Sequence, residues 1–175
     1  MPGNDCVMGK ANYKIGSMIF LLASACGLHG QDFDKMVENL LDGSISLISA
    51  DSLYQLKVEQ KNLIVLDARE KNEYDVSHIE GAIYVGYKNF DLSSLNLNKE
   101  DYVVVYCSVG YRSEKIGEKL EDAGFKYVNN LYGGIFDWKN KGYPVFDNNK
   151  KQTQNVHAYS KSWGKWLING EKVYE

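Results

Sequence analysis

Beyond residue 40 the apolar residues fall into short blocks divided by polar, glycine-punctuated stretches. Two blocks, Leu63-Ile64-Val65-Leu66 and Val103-Val104-Val105-Tyr106, contain no strongly polar position. A strand apolar at both odd and even positions is buried on both faces, as the strands of a parallel sheet are. Shorter runs around Ile45, Leu47 and Ile48, over Ala82–Val85 and over Tyr127–Leu131 predict further strands. Between them the period becomes helical. Phe33, Met36, Val37, Leu40 and Leu41 describe one helix, stopped by Gly43. Leu53 and Leu56 mark a second, capped by Ser49 or Asp51. Ile116 and Leu120 mark a third over Ser113–Ala123, closed by Gly124. Gly133-Gly134 opens a short fourth through Trp138, stopped near Gly142 and Pro144. Alternating strands and helices predict the α/β class with a mainly parallel sheet. Such sheets carry ligand sites at the carboxyl ends of their strands, where Asp67 and Cys107 stand.

The two ends of the chain differ from this core. Lys10 and Lys14 precede an apolar run from Ile15 to Leu28, too short to span a bilayer comfortably, in the order of an export signal. Met8 is an alternative start. Ala23-Ser24-Ala25-Cys26 offers an A-x-A cleavage site and also resembles a bacterial lipobox, with Ala23 where Leu or Val is usual; another cut lies after Gly30. Gly27, Gly30, Gln31 and Asp32 are expected to break this segment from the helix that starts at Phe33, against the competing reading of a buried N-terminal helix. The expected location is therefore the periplasm or envelope, with membrane contact only through a lipid on Cys26. At the other end, the polar residues 147–155, with Asn148, Asn149, Lys150, Lys151 and Gln152, read as a linker, and Val156, Tyr159, Trp163, Trp166 and Leu167 as one stripe of a helix. The expected organisation is a signal over 1–30, a short helix over 31–44, one domain over 45–147, and a linker with a helical extension over 148–175.

Composition changes this picture little. The 175 residues are 44% apolar and 25% charged, with a formal charge of -3. These are values of a globular domain able to bury a core without disulfides. Loss of Asp5, Lys10 and Lys14 with the signal, a net +1, takes the charge from -3 to -4, which disfavours anionic lipid surfaces. No basic run argues for nucleic acid as a partner. Cys6, Cys26 and Cys107 lack C-x-x-C spacing and His29, His78 and His157 are scattered, so no zinc site, disulfide framework or cofactor is expected.

The chemistry concentrates in Cys107-Ser108-Val109-Gly110-Tyr111-Arg112-Ser113, between a buried strand and a helix. A loop there turns backbone N–H groups toward one point, and the helix adds the positive end of its dipole. Gly110 lets the backbone fold tightly. An anion is favoured where Cys107 projects, and a thiolate is one; helix N-termini lower a thiol pKa from about 8.5 into the range of roughly 3.5 to 7.5. A persulfide, with its charge on the outer sulfur, suits the same cradle. Arg112 adds a planar cation that orients a sulfur donor or holds the loop in shape. The plainer alternatives are an inert core cysteine and a surface ion pair of Arg112 with Glu114 or Glu118.

Four motifs, in order, resemble those of the rhodanese, or thiosulfate sulfurtransferase, family. Leu66-Asp67-Ala68-Arg69 is similar to its Asp-x-Arg strand end. Ser77-His78-Ile79-Glu80-Gly81-Ala82 resembles Gly-His-Ile-Pro-Gly-Ala, with Ser77 and Glu80 as departures. Cys107 to Ser113 matches C-x-x-G-x-R-S without a gap, and Leu131 to Trp138 resembles Gly-Gly-Ile-x-x-Trp. The resemblance covers about residues 45–146. It implies a rhodanese-like central five-stranded, mainly parallel sheet flanked by helices on both faces. It also implies a sulfurtransferase that moves sulfane sulfur from thiosulfate or a persulfide to a thiol or cyanide through a Cys107 persulfide. Cys107 and Arg112 would then be catalytic, with Ser108, Val109, Gly110, Tyr111 and Ser113 cradling the sulfur. Asp67, Arg69 and His78 would be scaffold, Gly133 and Gly134 would pass beneath the site, and Trp138 would be core. Related cysteine phosphatases have one more residue between cysteine and arginine; the four here argue for sulfur over phosphate. A non-catalytic envelope binding module is the alternative. The extension is read as packing on the sheet, or as covering the loop and bringing His157 near the substrate.

Overall fold

A computed structural model describes residues 20–59 and 62–174, with side chains from Gly30 onward. Residues up to Asp32 and residues from Phe33 form separate units; the second holds the sheet. The chain begins with helix α1 (Phe20–Leu40), strand β1 (Leu47–Ile48) and helix α2 (Ala50–Glu59). Strand β2 (Leu63–Asp67), helix α3 (Lys71–Val76) and strand β3 (Ile83–Tyr84) come next. After a 3-10 turn at Leu92–Ser94 come β4 (Tyr102–Tyr106), α4 (Tyr111–Asp122), β5 (Tyr127–Leu131) and α5 (Gly134–Asn140).

β1 to β5 form one sheet in the order β1-β5-β4-β2-β3, and every pairing is parallel. β4 and β2 lie inside it, which is why their apolar runs have no polar face. Alternate residues of β4 enter different cores. Val104 and Tyr106 pack with Leu53, Ile135, Phe136 and Trp138, the side of α2 and α5. Val103 and Val105 pack with Ile116 and Leu120 of α4. Each such buried aliphatic side chain contributes about 1.5–3 kcal/mol, so both faces of the sheet hold the inner strands in register. The five-stranded parallel sheet and its flanking helices are thus as the motifs implied. Trp138 is buried as expected, its Nε1 donating to Pro144 O.

Three departures concern the connections and the ends. α3 has only six residues, too few for a helical period to register. α1 runs without a break past Gly27 and Gly30, where a boundary was expected: a glycine without a cap weakens a helix by only about 1 kcal/mol. Among the described residues, no helix is long and apolar enough to cross a membrane. Lys10, Lys14 and Met8 lie outside the described residues, as do the side chains of Ala23, Ala25 and Cys26.

The third departure is the expected linker and helical extension. β6 (Val145–Phe146) and β7 (Gln152–Thr153) pair as an antiparallel hairpin, and β8 (Asn155–His157) pairs in parallel with β9 (Glu171–Val173). Among the described residues of this segment, only α6 (Lys161–Gly164) is helical. Tertiary partners decide this. Asn155 O accepts the Ser77 hydroxyl at 2.6 Å, and Val156, Ala158 and Leu167 are buried in the α2–α5 core. Tyr159 takes a left-handed backbone angle, φ 63°, which ends any helical path through the stripe.

Candidate active site

β4 delivers Cys107 at its carboxyl end, and the loop Cys107–Gly110 turns directly into α4. Two helices fix that loop. From beneath, the Ile135 and Phe136 amides of α5 donate to Cys107 O (2.9 Å) and Ser108 O (3.1 Å). A Cβ on Gly134 would lie 2.3 Å from Cys107 O and 2.7 Å from Ser108 C, so only glycine allows this approach. Gly134 therefore does pass beneath the site. Because carbonyl and amide of a trans peptide point in opposite directions, the Ser108 and Val109 N–H groups face away from α5. From the side, Ser113 Oγ lies 2.9 Å from Gly110 O and 2.7 Å from Asn130 Oδ1, and Asn130 Nδ2 donates to Gly110 O at 3.0 Å. Gly110 itself holds φ 121°, a conformation closed to other residues at little cost.

The Gly110 amide donates to Cys107 Sγ at 3.2 Å. Among the described contacts it is the one amide to do so, where the sequence suggested several. Cys107 is 1% exposed, yet the residue lines a cavity of about 380 Å³.

Arg112 is held by a group that sequence reasoning missed. Its Nη1 donates to Glu73 Oε2 (2.6 Å), and its Nη2 to Glu73 Oε1 (2.8 Å) and Ser108 Oγ (3.0 Å). Glu73 also accepts from the Ser108 hydroxyl (3.1 Å) and the Glu70 amide (2.9 Å). The alternative for Arg112, a surface ion pair with Glu114 or Glu118, does not occur. Glu114 instead accepts the amides of Asp42, Gly43 and Ser44, and Glu118 pairs with Lys115. Burial alone raises the Glu73 pKa, but the hydrogen bond and charge of Arg112 outweigh it and bring it below the ordinary carboxylate range. Burial likewise pulls Arg112 down, while the Glu73 hydrogen bonds and the charges of Cys107 and Glu73 lift it above its usual value. Of the two roles considered for Arg112, the geometry realises the holding of the loop. The Ser108 side chain serves the same ion pair rather than the sulfur.

Asp67 and Arg69 form a second, fully buried pair at 2.7 Å. Arg69 Nη2 also donates to Ser77 O at 2.6 Å, which ties the end of α3, the helix carrying Glu73, to the end of β2. The charge of Arg69 also helps lower the Glu73 pKa. His78 stacks on Tyr74 at 4.0 Å, with its Nδ1 3.1 Å from Tyr74 O. Glu73 had one sequence signal: Glu70 and Glu73 stand three apart, as in a capping box.

The remaining walls come from far along the chain. Leu40, Glu70, Tyr87 and Lys88 line the cavity, together with Val109 and Tyr111 of the loop and the start of α4. Tyr159 and Trp163 close the rim, with the Arg112 guanidinium 5.3 Å from the Tyr159 ring centre. The C-terminal segment thus borders the loop, through these aromatics. His157 is buried behind them, its Nδ1 accepting the Tyr159 amide at 3.1 Å.

Residues 49–141 match the rhodanese-like domain, just over half of the chain. The protein belongs to the rhodanese-like family. Its domain is 32% identical over 93 residues to thiosulfate sulfurtransferase GlpE of Coxiella burnetii, covering 53% of this chain and 86% of GlpE. It is 33% identical over 98 residues to YrkF of Bacillus subtilis, covering 56% of this chain; the match spans about half, 53%, of that relative. The crystal structure of Alr3790 from Anabaena superposes with a TM-score of 0.54 at 27% identity, over 57% of this chain and 91% of that one. The rhodanese-like match contains Cys107, Arg112 and Glu73, and ends before Tyr159 and Trp163.

Proposed function

We propose that the protein is a sulfurtransferase that carries sulfane sulfur as a persulfide on Cys107. The observation that carries this reading is Cys107, which lines a small-molecule-sized cavity and whose Sγ accepts the Gly110 amide. In the first step the Cys107 thiolate attacks the outer sulfur of a thiosulfate or organic persulfide donor. The new S–S bond forms as the donor's S–S bond breaks, and sulfite or a thiolate leaves with the electron pair. In the second step a thiol or cyanide takes the outer sulfur and Cys107 regains its thiolate, a two-step covalent cycle. Arg112 keeps a positive charge near the sulfur while its fork is occupied by Glu73. That occupation removes the bidentate donor a phosphate would need and favours sulfur over phosphoryl transfer.

Incubation of the full chain with thiosulfate or a persulfide should add the mass of one sulfur atom, lost again on adding cyanide. Cys107→Ser should add none. Wild-type protein that gains no mass from several donors sinks the proposal, and a stoichiometric partner retained by Cys107→Ser would then favour a binding module. We also propose, from the N-terminal pattern alone, export to the periplasm or envelope; an intact mass from the native host that includes residues 1–25 would refute it.

A further inference from the structure

The rhodanese-like match ends at residue 141, yet the cavity beside Cys107 is lined by two residues beyond it, Tyr159 and Trp163. Their placement is built in. Ala158 N donates to Val173 O of β9, Ser160 N donates to Ala158 O, and the Ser160 hydroxyl caps α6 by accepting from Trp163 N. Tyr159 is one of two non-glycine residues with positive φ among the described residues, an arrangement that costs free energy and is characteristic of ligand clamps. Tyr159 remains 53% exposed. With Leu40, Tyr87, Val109 and Tyr111 the walls are chiefly apolar. The charges at the cavity are of both signs: Glu70 and Lys88 both line it, and the Arg112 cation is paired with the Glu73 carboxylate. Such a site has large apolar surface and no excess of positive charge. It is poorly matched to thiosulfate, a compact dianion without apolar surface.

We propose that the preferred donor carries an apolar group of aromatic size next to its sulfane sulfur, and that Tyr159 and Trp163 bind that group. The proposal rests on the sulfurtransferase reading above. With an organic thiosulfonate as donor, the Cys107 thiolate attacks the outer sulfur of R-SO2-S⁻. The S–S bond to Cys107 forms, the bond between that sulfur and the sulfonyl sulfur breaks, and the sulfinate R-SO2⁻ leaves with the electron pair.

The test compares benzenethiosulfonate with methanethiosulfonate, which share the reactive end and the charge. Loading of Cys107 in the full chain is followed by intact mass, and each rate is divided by that of a free small thiol with the same donor. The wild-type ratio should favour the aromatic donor by about tenfold or more, the selectivity that a few extra buried carbons provide. Tyr159→Ala should lower it severalfold, and Tyr159→Ala combined with Trp163→Leu should bring it near one. A wild-type ratio near one overturns the proposal, as does a high ratio that survives both substitutions. Benzenesulfinate binding to Cys107→Ser, read by tryptophan fluorescence, separates this inference from the reading beneath it. Saturable binding weakened by Tyr159→Ala supports the aromatic pocket even if no donor loads Cys107. Equal loading from both donors preserves sulfur transfer and removes the specificity.

Discussion

Two segments meet at the cavity: the loop Cys107–Arg112 inside the rhodanese-like domain, and Tyr159–Trp163 beyond it. The loop is fixed from all sides. Its carbonyls are bound by α5, its glycine carbonyl by Asn130, and its arginine by a buried carboxylate. The rim is held by its backbone, with Tyr159 and Trp163 lining the cavity and Tyr159 half-exposed. A group that reacts needs one geometry to within a fraction of an ångström, whereas a group that recognises apolar surface needs only area. Substitutions in the loop should therefore abolish chemistry or unfold the domain, and those in the rim should alter choice of donor.

The sharpest way to break this contrast is Cys107→Ser, expected to eliminate sulfur loading while changing urea-unfolding stability by less than about 1 kcal/mol. Residual loading by mass spectrometry would place the reactive sulfur elsewhere. Gly134→Ala comes next, because its Cβ would strike Cys107 O and Ser108 at φ 55°. We expect about 3 kcal/mol or more of destabilisation in urea; a loss under about 1 kcal/mol would mean the loop is not held from below.

Glu73→Gln keeps the shape but leaves Arg112 without its counter-charge, and should cost about 1–3 kcal/mol and slow loading about tenfold or more. It also has a pH signature. The folded-state pKa of Glu73 is lowered, so its stabilisation is present above the ordinary carboxylate value of about 4.3. That stabilisation is lost as pH falls through the lower folded value. Glu73→Gln should flatten the acid limb of stability against pH; an unchanged limb would assign it to other carboxylates.

The smallest effect concerns the rim. Burial lowers the His157 pKa, with the Glu73 charge partly opposing it. Below the ordinary value of about 6.5 the unfolded chain binds a proton that the folded one does not, so stability falls as pH drops through that region. His157→Asn, which keeps an acceptor for the Tyr159 amide, should make this slope shallower in thermal melts between pH 7 and 5.5. An equal slope would exclude His157 as its source.

The loop was legible because its constraints are local: an apolar strand, a cysteine, a glycine and an arginine within six residues. Glu73 was not, since it lies 39 residues from Arg112 on a helix too short to show a period. The rim was misread as a helical stripe, because Val156, Tyr159, Trp163 and Trp166 have helical spacing whichever partners they find.

The sequence alone determined the parallel α/β sheet, the family resemblance and the position of Cys107 at a strand end, because burial on two faces and tight turns leave period and glycine marks along the chain. Only the tertiary structure decided which carboxylate holds Arg112, that the C-terminal segment forms short strands, and that its aromatics reach the cavity. Ion pairs and strand partners are chosen by proximity in space, and separations of tens of residues leave no local pattern to read.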